Sequence, residues 1–433
     1  MAFSSSLPCE MNGHPMRSAT ARPPTLPLLS GQYPVEAAGV AVLQTSPYLS
    51  SVRPGTDPLL VYLSDTAGPG APTGGPPPDG TAFGIVGLDR TIVWQDDPEI
   101  LQLLRYAAGA PRPTGALAAR FGALRVATVV GRGWLQDPAE LCREYRLVSG
   151  EVEVTAHCNW GCLSCPVATD PKPRRTMPMP LFKEIIGKLA AAGVAYVTFQ
   201  FFNEPTLDRY FSERLEVLAG HGMPLALYSN ASALTAAKIA DLKRTGVLKH
   251  LIVNIPSVNE AEFAELTGSR SYRHCLGNTE KALEAGLPVQ VVVNGVGERL
   301  ERNLAGVERH FTRLGAEVYP SLTCDRAGEL GGEYAQGIRV EGRLSGCGWP
   351  VQHINVSVAG DLFLCCNDYY QREVFGHIGD GTIDELMSAE RAVVLRRKVF
   401  GVDDAPDDFL CRRCHNQQSD FPGRDFRPIA TFG

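Results

Sequence analysis

The sequence predicts an α/β fold in which parallel strands alternate with helices. From residue 151 onward, six short apolar runs with the character of strands are separated by amphipathic stretches of helical length. Such alternation is typical of parallel sheets with crossover helices. The predicted strands cover 151–156, 196–201, 225–228, 251–255, 289–293 and 317–322. The predicted helices cover 180–192, 207–221, 234–245, 274–285 and 299–314.

The composition indicates a globular protein of two or three domains. The chain has 433 residues, of which 44% are hydrophobic and 20% charged, and a domain holds about 150 residues on average. A net charge of -6 argues against nucleic acid as a partner, because phosphates bind basic surfaces. No apolar run reaches the ~18 residues of a membrane span, and residues 1–15 do not resemble a secretory signal. We therefore expect a cytoplasmic protein whose twelve cysteines ligate metal rather than form disulfides.

Two segments precede the alternating region. Residues 1–80 are rich in Pro, Gly, Ser and Thr, which predicts a partly flexible region with short strands at 39–43 and 59–63. Residues 81–150 predict a small α+β accessory domain. It consists of a hairpin formed by 82–86 and 91–94, followed by helices at 97–107, 114–121 and 138–145.

A loop with three cysteines follows the first strand of the alternating region. Cys158, Cys162 and Cys165 stand at C-x3-C-x2-C spacing. Thiolate is the soft ligand that iron–sulfur clusters use, and three thiolates can hold three irons of a cubane cluster. Since no fourth cysteine follows nearby, one iron stays open to a small molecule. A zinc knuckle is the alternative interpretation.

This loop resembles the signature of the radical S-adenosylmethionine (SAM) superfamily, although Ser164 stands where that family usually has an aromatic residue. The resemblance implies a [4Fe-4S] cluster whose open iron binds SAM. It implies reductive cleavage of SAM to a 5′-deoxyadenosyl radical, which takes a hydrogen atom from the substrate. It also implies a flavodoxin- or ferredoxin-type reductant and a partial (β/α)6 TIM-like barrel, here formed by 151–325. The cofactor carries such chemistry, and the protein positions it.

Sites in such barrels form at the carboxyl ends of the strands, so the polar residues there are the expected SAM ligands. After the second strand, Asn203 and Glu204 occupy the place of the family's Gly-Gly-Glu-type motif, and a helix cap by Glu204 is the alternative. After the third strand, Ser229 and Asn230 resemble the family's Thr-Asn-Gly turn, and a local turn is the alternative. The fourth and fifth strand ends add Asn254, Ser257 and Asn294 as expected contacts of the ribose and adenine.

Cys324 follows the sixth predicted strand. A thiol at the mouth of a barrel can donate a hydrogen atom to a substrate radical, and some radical SAM epimerases finish their reaction in this way. A packing cysteine and a spare cluster ligand are the alternatives.

A second group of cysteines lies in residues 326–433. Cys347 precedes a predicted hairpin of 354–358 and 361–365, Cys365 ends it, and Cys411 and Cys414 form a C-x2-C pair. This arrangement resembles the SPASM/twitch extension of radical SAM enzymes. The resemblance implies a small domain with one auxiliary [4Fe-4S] cluster held by these four cysteines, with Cys366 as the alternative to Cys365. Zinc is the alternative metal, because four cysteines also suit a tetrahedral ion.

The two resemblances extend over 151–414 and leave the substrate open. The accessory domain resembles the winged-helix peptide-recognition domains of some radical SAM peptide-modifying enzymes. That implies a ribosomally made peptide, crosslinked or oxidised in natural-product biosynthesis, although packing alone is an alternative role for the domain. The single auxiliary cluster resembles that of radical SAM aminocyclitol dehydrogenases, which implies dehydrogenation or epimerisation of an aminocyclitol or sugar. A non-enzymatic zinc or iron–sulfur binding module is the third hypothesis.

Overall fold

The computed structural model describes residues 42–52, 80–81, 83–88, 92–330, 344, 346–414 and 427–428. The predicted strand 59–63 lies outside these residues. None of the helices in the described ranges combines the length and the hydrophobicity that crossing a bilayer requires.

The N-terminal part folds into a small α+β unit. Its strands are β1 (Val42–Thr45), β2 (Ser50–Val52), β3 (Phe83–Val86), β4 (Ile92–Gln95), β5 (Arg112–Pro113) and β6 (Leu135–Gln136), and its helices are α1 (Pro98–Tyr106), α2 (Thr114–Phe121) and α3 (Ala123–Gly131). Strands β3 and β4 form the predicted antiparallel hairpin. Asp97 caps α1, since its Oδ1 accepts from the Glu99 N–H at 3.0 Å, and Pro98 suits the first helical position. The helices enclose an apolar core of their own against the hairpin.

The predicted helix 138–145 is wrong, because this segment forms turns without a helix. Its carbonyl groups bond to two arginines of the C-terminal region instead of to helical N–H groups. Arg396 Nε donates to the Cys142 carbonyl at 2.8 Å, and Arg397 Nη1 donates to the Pro138 carbonyl at 2.8 Å. Cys142 itself has a φ of +67°, which no right-handed helix contains. Tertiary packing therefore overrides a favourable local pattern.

Residues 149–322 form the central α/β layer. Its strands and helices, in chain order, are β7 (Ser149–Val152), α4 (Met179–Ala191), β8 (Tyr196–Thr198), α5 (Phe211–Gly220), β9 (Leu225–Ser229), α6 (Ala236–Thr245), β10 (Leu248–Asn254), α7 (Glu260–Thr267), α8 (Tyr272–Glu284), β11 (Val289–Gly295), α9 (Gly297–Phe311) and β12 (Glu317–Leu322). Every neighbouring pair from β7 to β12 is parallel. The predicted α/β fold and its six strands are confirmed.

The sequence analysis missed α7, whose boundary signals are nevertheless present. Asn259 caps it, because its Oδ1 accepts from the Glu262 N–H at 3.0 Å, and Gly268 ends it in the left-handed conformation. An Asn and a Gly that enclose a short amphipathic stretch are ordinary helix boundaries.

The C-terminal region extends the same sheet. It contains α10 (Trp349–Gln352), β13 (His353–Val356), β14 (Asp361–Phe363), β15 (Val374–His377), α11 (Ile383–Ser388), α12 (Glu390–Val399) and the short strand β16 (Arg427–Pro428). Strand β13 pairs in parallel with β7, and β14 and β15 follow antiparallel. The sheet order is therefore β12-β11-β10-β9-β8-β7-β13-β14-β15, an open partial barrel lengthened by the predicted hairpin. Strand β16 pairs with β2 of the N-terminal unit.

The two faces of the central sheet differ in character. The residues that face the helices, such as Val197, Leu227 and Val291, belong to the main apolar core. The concave face is mixed: it carries polar and aromatic residues such as Glu151, Thr198 and Tyr228 together with aliphatic ones such as Ile252 and Val292. Successive side chains of a strand alternate between the two faces, so one side of each strand builds the core and the other builds the site.

Candidate active site

The loop that carries the first three cysteines is held by α7 and the turn after it. The Gly161 N–H donates to the Thr267 carbonyl and the Leu163 N–H to the Leu266 carbonyl, both at 3.0 Å. Gly268, with a φ of +62°, lies so close that a Cβ there would stand 3.0 Å from the Gly161 oxygen. The close approach and the left-handed backbone both favour glycine at this position.

Trp160 fixes the same loop from inside. Its side chain is buried, its Nε1–H donates to Ser271 Oγ at 3.1 Å, and its ring meets that of Phe263 edge to face at 5.1 Å. A buried tryptophan normally finds a partner for its N–H in this way. The contacts hold the three thiols in one loop conformation.

Burial raises the pKa of all three thiols. The pKa of Cys158 is raised to about 12, chiefly by burial and then by the charge of Glu204. Burial raises the pKa of Cys162 well above its usual value, and the charges of Cys165 and Cys158 add to that effect. Burial also raises the pKa of Cys165, against the positive charge of Arg326. Thiolates crowded in this way need a cation beside them, and a coordinating metal supplies it, so this donor set fits a metal cluster.

A cavity of about 250 Å³ lies at the carboxyl ends of the barrel strands. The sequence-predicted residues on its wall are Cys158, Cys162, Cys165, Asn203, Glu204, Ser229, Asn230, Asn254 and Asn294. An adjoining cavity of about 420 Å³ shares Cys162, Asn254 and Asn294 with it and continues along the loop after β11. With Thr323 after β12, the parallel sheet thus brings side chains from six strand ends to one place.

Glu204 joins two strand ends rather than standing free in the cavity. Its carboxylate accepts hydrogen bonds from the Thr206 N–H at 2.9 Å, from Ser229 Oγ at 2.8 Å and from the Asn230 N–H at 2.6 Å. Burial raises the pKa of this carboxyl group, and these bonds oppose the rise. The cap that the sequence left open as an alternative is present, since Glu204 precedes the 3-10 turn Pro205–Leu207.

Asn230 connects the end of β9 to the cysteine loop. Its Nδ2 donates to Asn159 Oδ1 at 2.9 Å, and its Oδ1 accepts from the Ser232 N–H at 2.9 Å. Nδ2 also lies 3.8 Å from Cys158 Sγ. The local turn and the approach to the cysteine loop therefore coexist in one side chain.

Two asparagines on the wall keep hydrogen-bonding atoms available. Asn203 Nδ2 and Asn254 Oδ1 are buried and have no hydrogen-bond partner among the described residues. Leaving a buried polar atom unpaired costs about 1–3 kcal/mol, and cavity-lining atoms of this kind are typical ligand contacts.

Two of the predicted site residues do not line either cavity. Ser257 Oγ donates to Asn303 Oδ1 at 3.2 Å and accepts from the Asn259 N–H at 3.1 Å, so it belongs to the turn that begins α7. Cys324 is 3% exposed, and its predecessor Thr323 faces both cavities in its place.

The sequence analysis missed several further residues on the wall, among them Gln200, Tyr228, Arg326, Trp349 and Asn367. Every second side chain of a strand faces the barrel interior. Gln200 and Tyr228 each stand two residues after an inward-facing residue of β8 or β9, so this alternation could have found them. Arg326 lies in a turn and Trp349 begins the short helix α10, and no local pattern marks either as a site residue.

The second group of cysteines encloses a separate small cavity. Cys347, Cys365, Cys366, Cys411 and Cys414 line it together. Burial raises the pKa of both Cys365 and Cys411 well above the usual value, and the neighbouring thiolates add to the effect. Cys366 lies on the walls of this cavity and of the barrel cavity. The set is again rich in soft donors and fits an iron–sulfur cluster.

Within the described ranges, no three His, Cys, Asp or Glu side chains are arranged to hold a single metal ion. A four-iron cluster is larger than one ion and separates its ligand sulfurs more widely, so it does not require such an arrangement.

One wall divides the two cavities. Trp349, Cys366 and Asn367 line both of them. The Trp349 ring stacks on His353 at 4.2 Å, which fixes its place in the wall. Of the five C-terminal cysteines, Cys366 therefore faces both cavities, and the other four lie behind this shared wall.

Glu151 is a buried carboxyl group on the concave face of the sheet, and one of its oxygens has no hydrogen-bond partner among the described residues. The residue is 5% exposed, and that oxygen is its Oε1. Its pKa is raised to about 8, first by burial, with Arg326 lowering it and Glu153 raising it. The charge of Glu151 in turn contributes to the raised pKa of Tyr228 on the cavity wall, which burial raises most.

We expect Glu151→Gln to remove a pH dependence of stability. In the unfolded chain a glutamate titrates near 4.3, so between about pH 4 and about pH 8 the folded protein holds a proton that the unfolded chain does not. The free energy of unfolding then falls as the pH rises, by at most about 1.4 kcal/mol per pH unit. Glutamine stays neutral, so the variant gains stability over the wild type toward about pH 8. Urea unfolding across this range, with the exposed Glu308→Gln as control, measures the effect. Parallel pH profiles for wild type and Glu151→Gln would contradict it.

Comparison with known proteins finds two matching family models. The model described as the radical SAM superfamily matches residues 152–301. The model described as an iron–sulfur cluster-binding domain, SPASM, matches residues 347–415.

Several characterised proteins are similar to this chain. The S-adenosyl-L-methionine-dependent 2-deoxy-scyllo-inosamine dehydrogenase of Niallia circulans is 22% identical over 272 residues, which are 61% of this chain and 92% of that protein. Streptococcus suis SuiB, solved with precursor peptide SuiA, has a TM-score of 0.51 at 10% identity and covers 81% of this chain and 95% of its own. BtrN, solved with AdoMet and 2-DOIA, has a TM-score of 0.45 at 18% identity, with 64% and 95% covered. The likeness to SuiB shows a common fold.

Proposed function

Because this chain belongs to the radical SAM superfamily and carries a C-terminal SPASM-type iron–sulfur domain, we propose that it oxidises its substrate by two electrons. Its cofactors are SAM, a SAM-binding [4Fe-4S] cluster and auxiliary iron–sulfur clusters, of which we propose one. When these groups are bound, they supply a 5′-deoxyadenosyl radical that takes one hydrogen atom from the substrate, and an acceptor for the electron that the substrate radical then gives up. The substrate also loses one proton, which balances the oxidation.

The residues that hold these groups follow from the two sets of thiols. Cys158, Cys162 and Cys165 are the proposed ligands of the SAM-binding cluster. The proposed ligands of one auxiliary cluster are Cys347, Cys365, Cys411 and Cys414. The match of this region to an iron–sulfur domain favours a cluster over zinc.

The observation that most supports an oxidation is the wall that the two cavities share, formed by Trp349, Cys366 and Asn367. A substrate in the barrel cavity stands one layer of side chains from the auxiliary thiols. That proximity suits an acceptor for the electron of the substrate radical.

The side chains of the barrel mouth orient SAM in this proposal. Asn203 and Asn254 have unpaired buried atoms on the cavity wall and are the proposed hydrogen-bonding contacts, with Asn294 beside the adjoining cavity. Glu204 acts by fixing Ser229 and Asn230 in place. Ser257 is bonded within its own turn and has the weakest support as a SAM contact.

The first proposed substrate is a ribosomally made peptide, modified by crosslinking or oxidation. The support is the accessory unit, which combines an antiparallel hairpin with three helices, two of them where the sequence predicted helices. SuiB, which shares the fold, was solved with a precursor peptide.

Deletion of residues 1–136 is expected to abolish binding of the cognate precursor peptide, a loss of at least tenfold in affinity or about 1.4 kcal/mol. The deletion spares 137–150, because Leu141 and Cys142 pack with Cys411 and Cys414 in the C-terminal core. Fluorescence anisotropy with a labelled candidate peptide measures affinity, and retained SAM cleavage by the truncated enzyme shows that the barrel is intact. Equal affinity in the truncated and full-length enzymes would contradict the peptide-recognition role.

The second proposed substrate is an aminocyclitol or sugar. The wall of the barrel cavity favours it, since the buried Oε1 of Gln200 on that wall has no partner among the described residues and is free to accept a hydrogen bond from a hydroxyl or amino group. The dehydrogenase of Niallia circulans is described for such a substrate. Dehydrogenation has more support than epimerisation, because Cys324, the proposed hydrogen donor, does not line the cavity.

The remaining expectations concern the surroundings of the enzyme. A flavodoxin- or ferredoxin-type protein is the proposed reductant. A cytoplasmic location, without nucleic-acid or membrane partners, is the proposed setting.

A further inference from the structure

A chain of hydrogen bonds joins the wall of the barrel cavity to the C-terminal cysteines. Asn367 is 2% exposed, and its Nδ2 donates to Cys414 Sγ at 3.5 Å. Its Oδ1 accepts from Arg326 Nη1 at 3.3 Å. A guanidinium group only donates, so the amide oxygen must face Arg326 and the amide N–H must face the sulfur. The direction of both bonds is therefore fixed.

The backbone of Arg326 is fixed by the core around the C-terminal cysteines, and its side chain extends to the barrel cavity. It has a φ of +51°, and the next residue, Ala327, has a φ of +57°. Consecutive left-handed residues other than glycine persist only when their surroundings impose them. Ala327 is fully buried in the same core as Cys411 and Cys414, while the Arg326 guanidinium lies 5.5 Å from the centre of the Phe202 ring in the barrel cavity.

A hydrogen bond to a ligand thiolate withdraws electron density from the metal and stabilises the reduced cluster. We propose that Asn367 raises the reduction potential of the auxiliary cluster through Cys414, and that Arg326 keeps the amide in its donating orientation. This inference rests on the proposed function, since it takes Cys414 as a cluster ligand. Asn367 is then a positioning residue that makes the auxiliary cluster a better electron acceptor.

The test is a redox titration of the anaerobic holoenzyme, followed by electron paramagnetic resonance. Asn367→Ala should lower the potential of one cluster and leave the other unchanged. Asn367→Asp is nearly isosteric but has no N–H group and adds a negative charge, so it should lower the same potential further. This variant also keeps the test valid if the alanine variant folds poorly.

Two more variants separate the bond from general effects. Asn278→Ala removes an amide that donates to the Ala231 carbonyl at 2.9 Å in the barrel, and it should change neither potential. Arg326→Met removes the donor to Asn367 and also a positive charge near Cys165. It should therefore lower both potentials, which distinguishes it from the Asn367 variants.

The outcomes separate this inference from the proposed function. If the enzyme holds two clusters, and neither reduction potential differs between the wild type and the Asn367→Ala and Asn367→Asp variants, the inference is overturned while the proposed function stands. A wild-type enzyme with only one cluster, or a Cys414→Ala variant with unchanged iron content, would contradict the proposed ligand set itself. A fall of one potential in both Asn367 variants is the result we expect.

Discussion

Replacement of any one of Cys158, Cys162 and Cys165 by alanine is expected to abolish reductive cleavage of SAM. Each variant leaves two thiolates for three irons, so the cluster does not assemble and about four irons per chain are lost. The measurements are the iron content and the formation of 5′-deoxyadenosine with dithionite as reductant.

Cys275→Ala is the matched control for this series. Cys275 is fully buried in α8. Its replacement by alanine removes a thiol from the same domain, but not a proposed cluster ligand. It should retain both iron and SAM cleavage. Wild-type levels of 5′-deoxyadenosine from any of the three ligand variants would show that the residue does not hold the cluster.

Replacement of Cys347 or Cys411 by alanine is expected to remove product while sparing part of the SAM cleavage. None of Cys158, Cys162 and Cys165 lines the cavity of the auxiliary cysteines, so loss of an auxiliary ligand leaves the SAM-binding thiols in place. The substrate radical then lacks its electron acceptor. With substrate present, 5′-deoxyadenosine should form without oxidised product, and the iron content should fall by up to about four per chain.

The matched control here is Cys142→Ala. Cys142 is buried in the same apolar core as Cys411 but does not line the cavity of the auxiliary cysteines. This variant tests whether disturbance of the core, rather than loss of a ligand, stops the reaction. If Cys347→Ala formed product at the wild-type rate, the auxiliary cluster would have no part in the oxidation.

Much of the site could be predicted because it lies at the ends of regular elements. In a parallel sheet the carboxyl ends of all strands meet at one edge, so locating the strands was enough to bring Asn203, Asn230 and Asn254 together with the cysteine loop. The position of Glu204 after its strand was also predictable. Its bonds to Ser229 and Asn230 were not, because they depend on how two loops approach each other.

Two of the residues that sequence reasoning missed act across a long separation in the chain. Arg326 and Asn367 are distant in the chain and bond only because β13 pairs in parallel with β7, which places the C-terminal hairpin against the barrel. The predicted helix 138–145 failed for a related reason, since Arg396 and Arg397 of α12 bond to its carbonyl groups. Local propensity contains no information on such partners.

The most direct test of the central claim is the iron and sulfide content of anaerobically purified protein, together with an assay for 5′-deoxyadenosine in the presence of dithionite and SAM. We expect about eight irons per chain, as two cubane clusters require, and formation of 5′-deoxyadenosine. Protein without iron that does not cleave SAM would contradict the account.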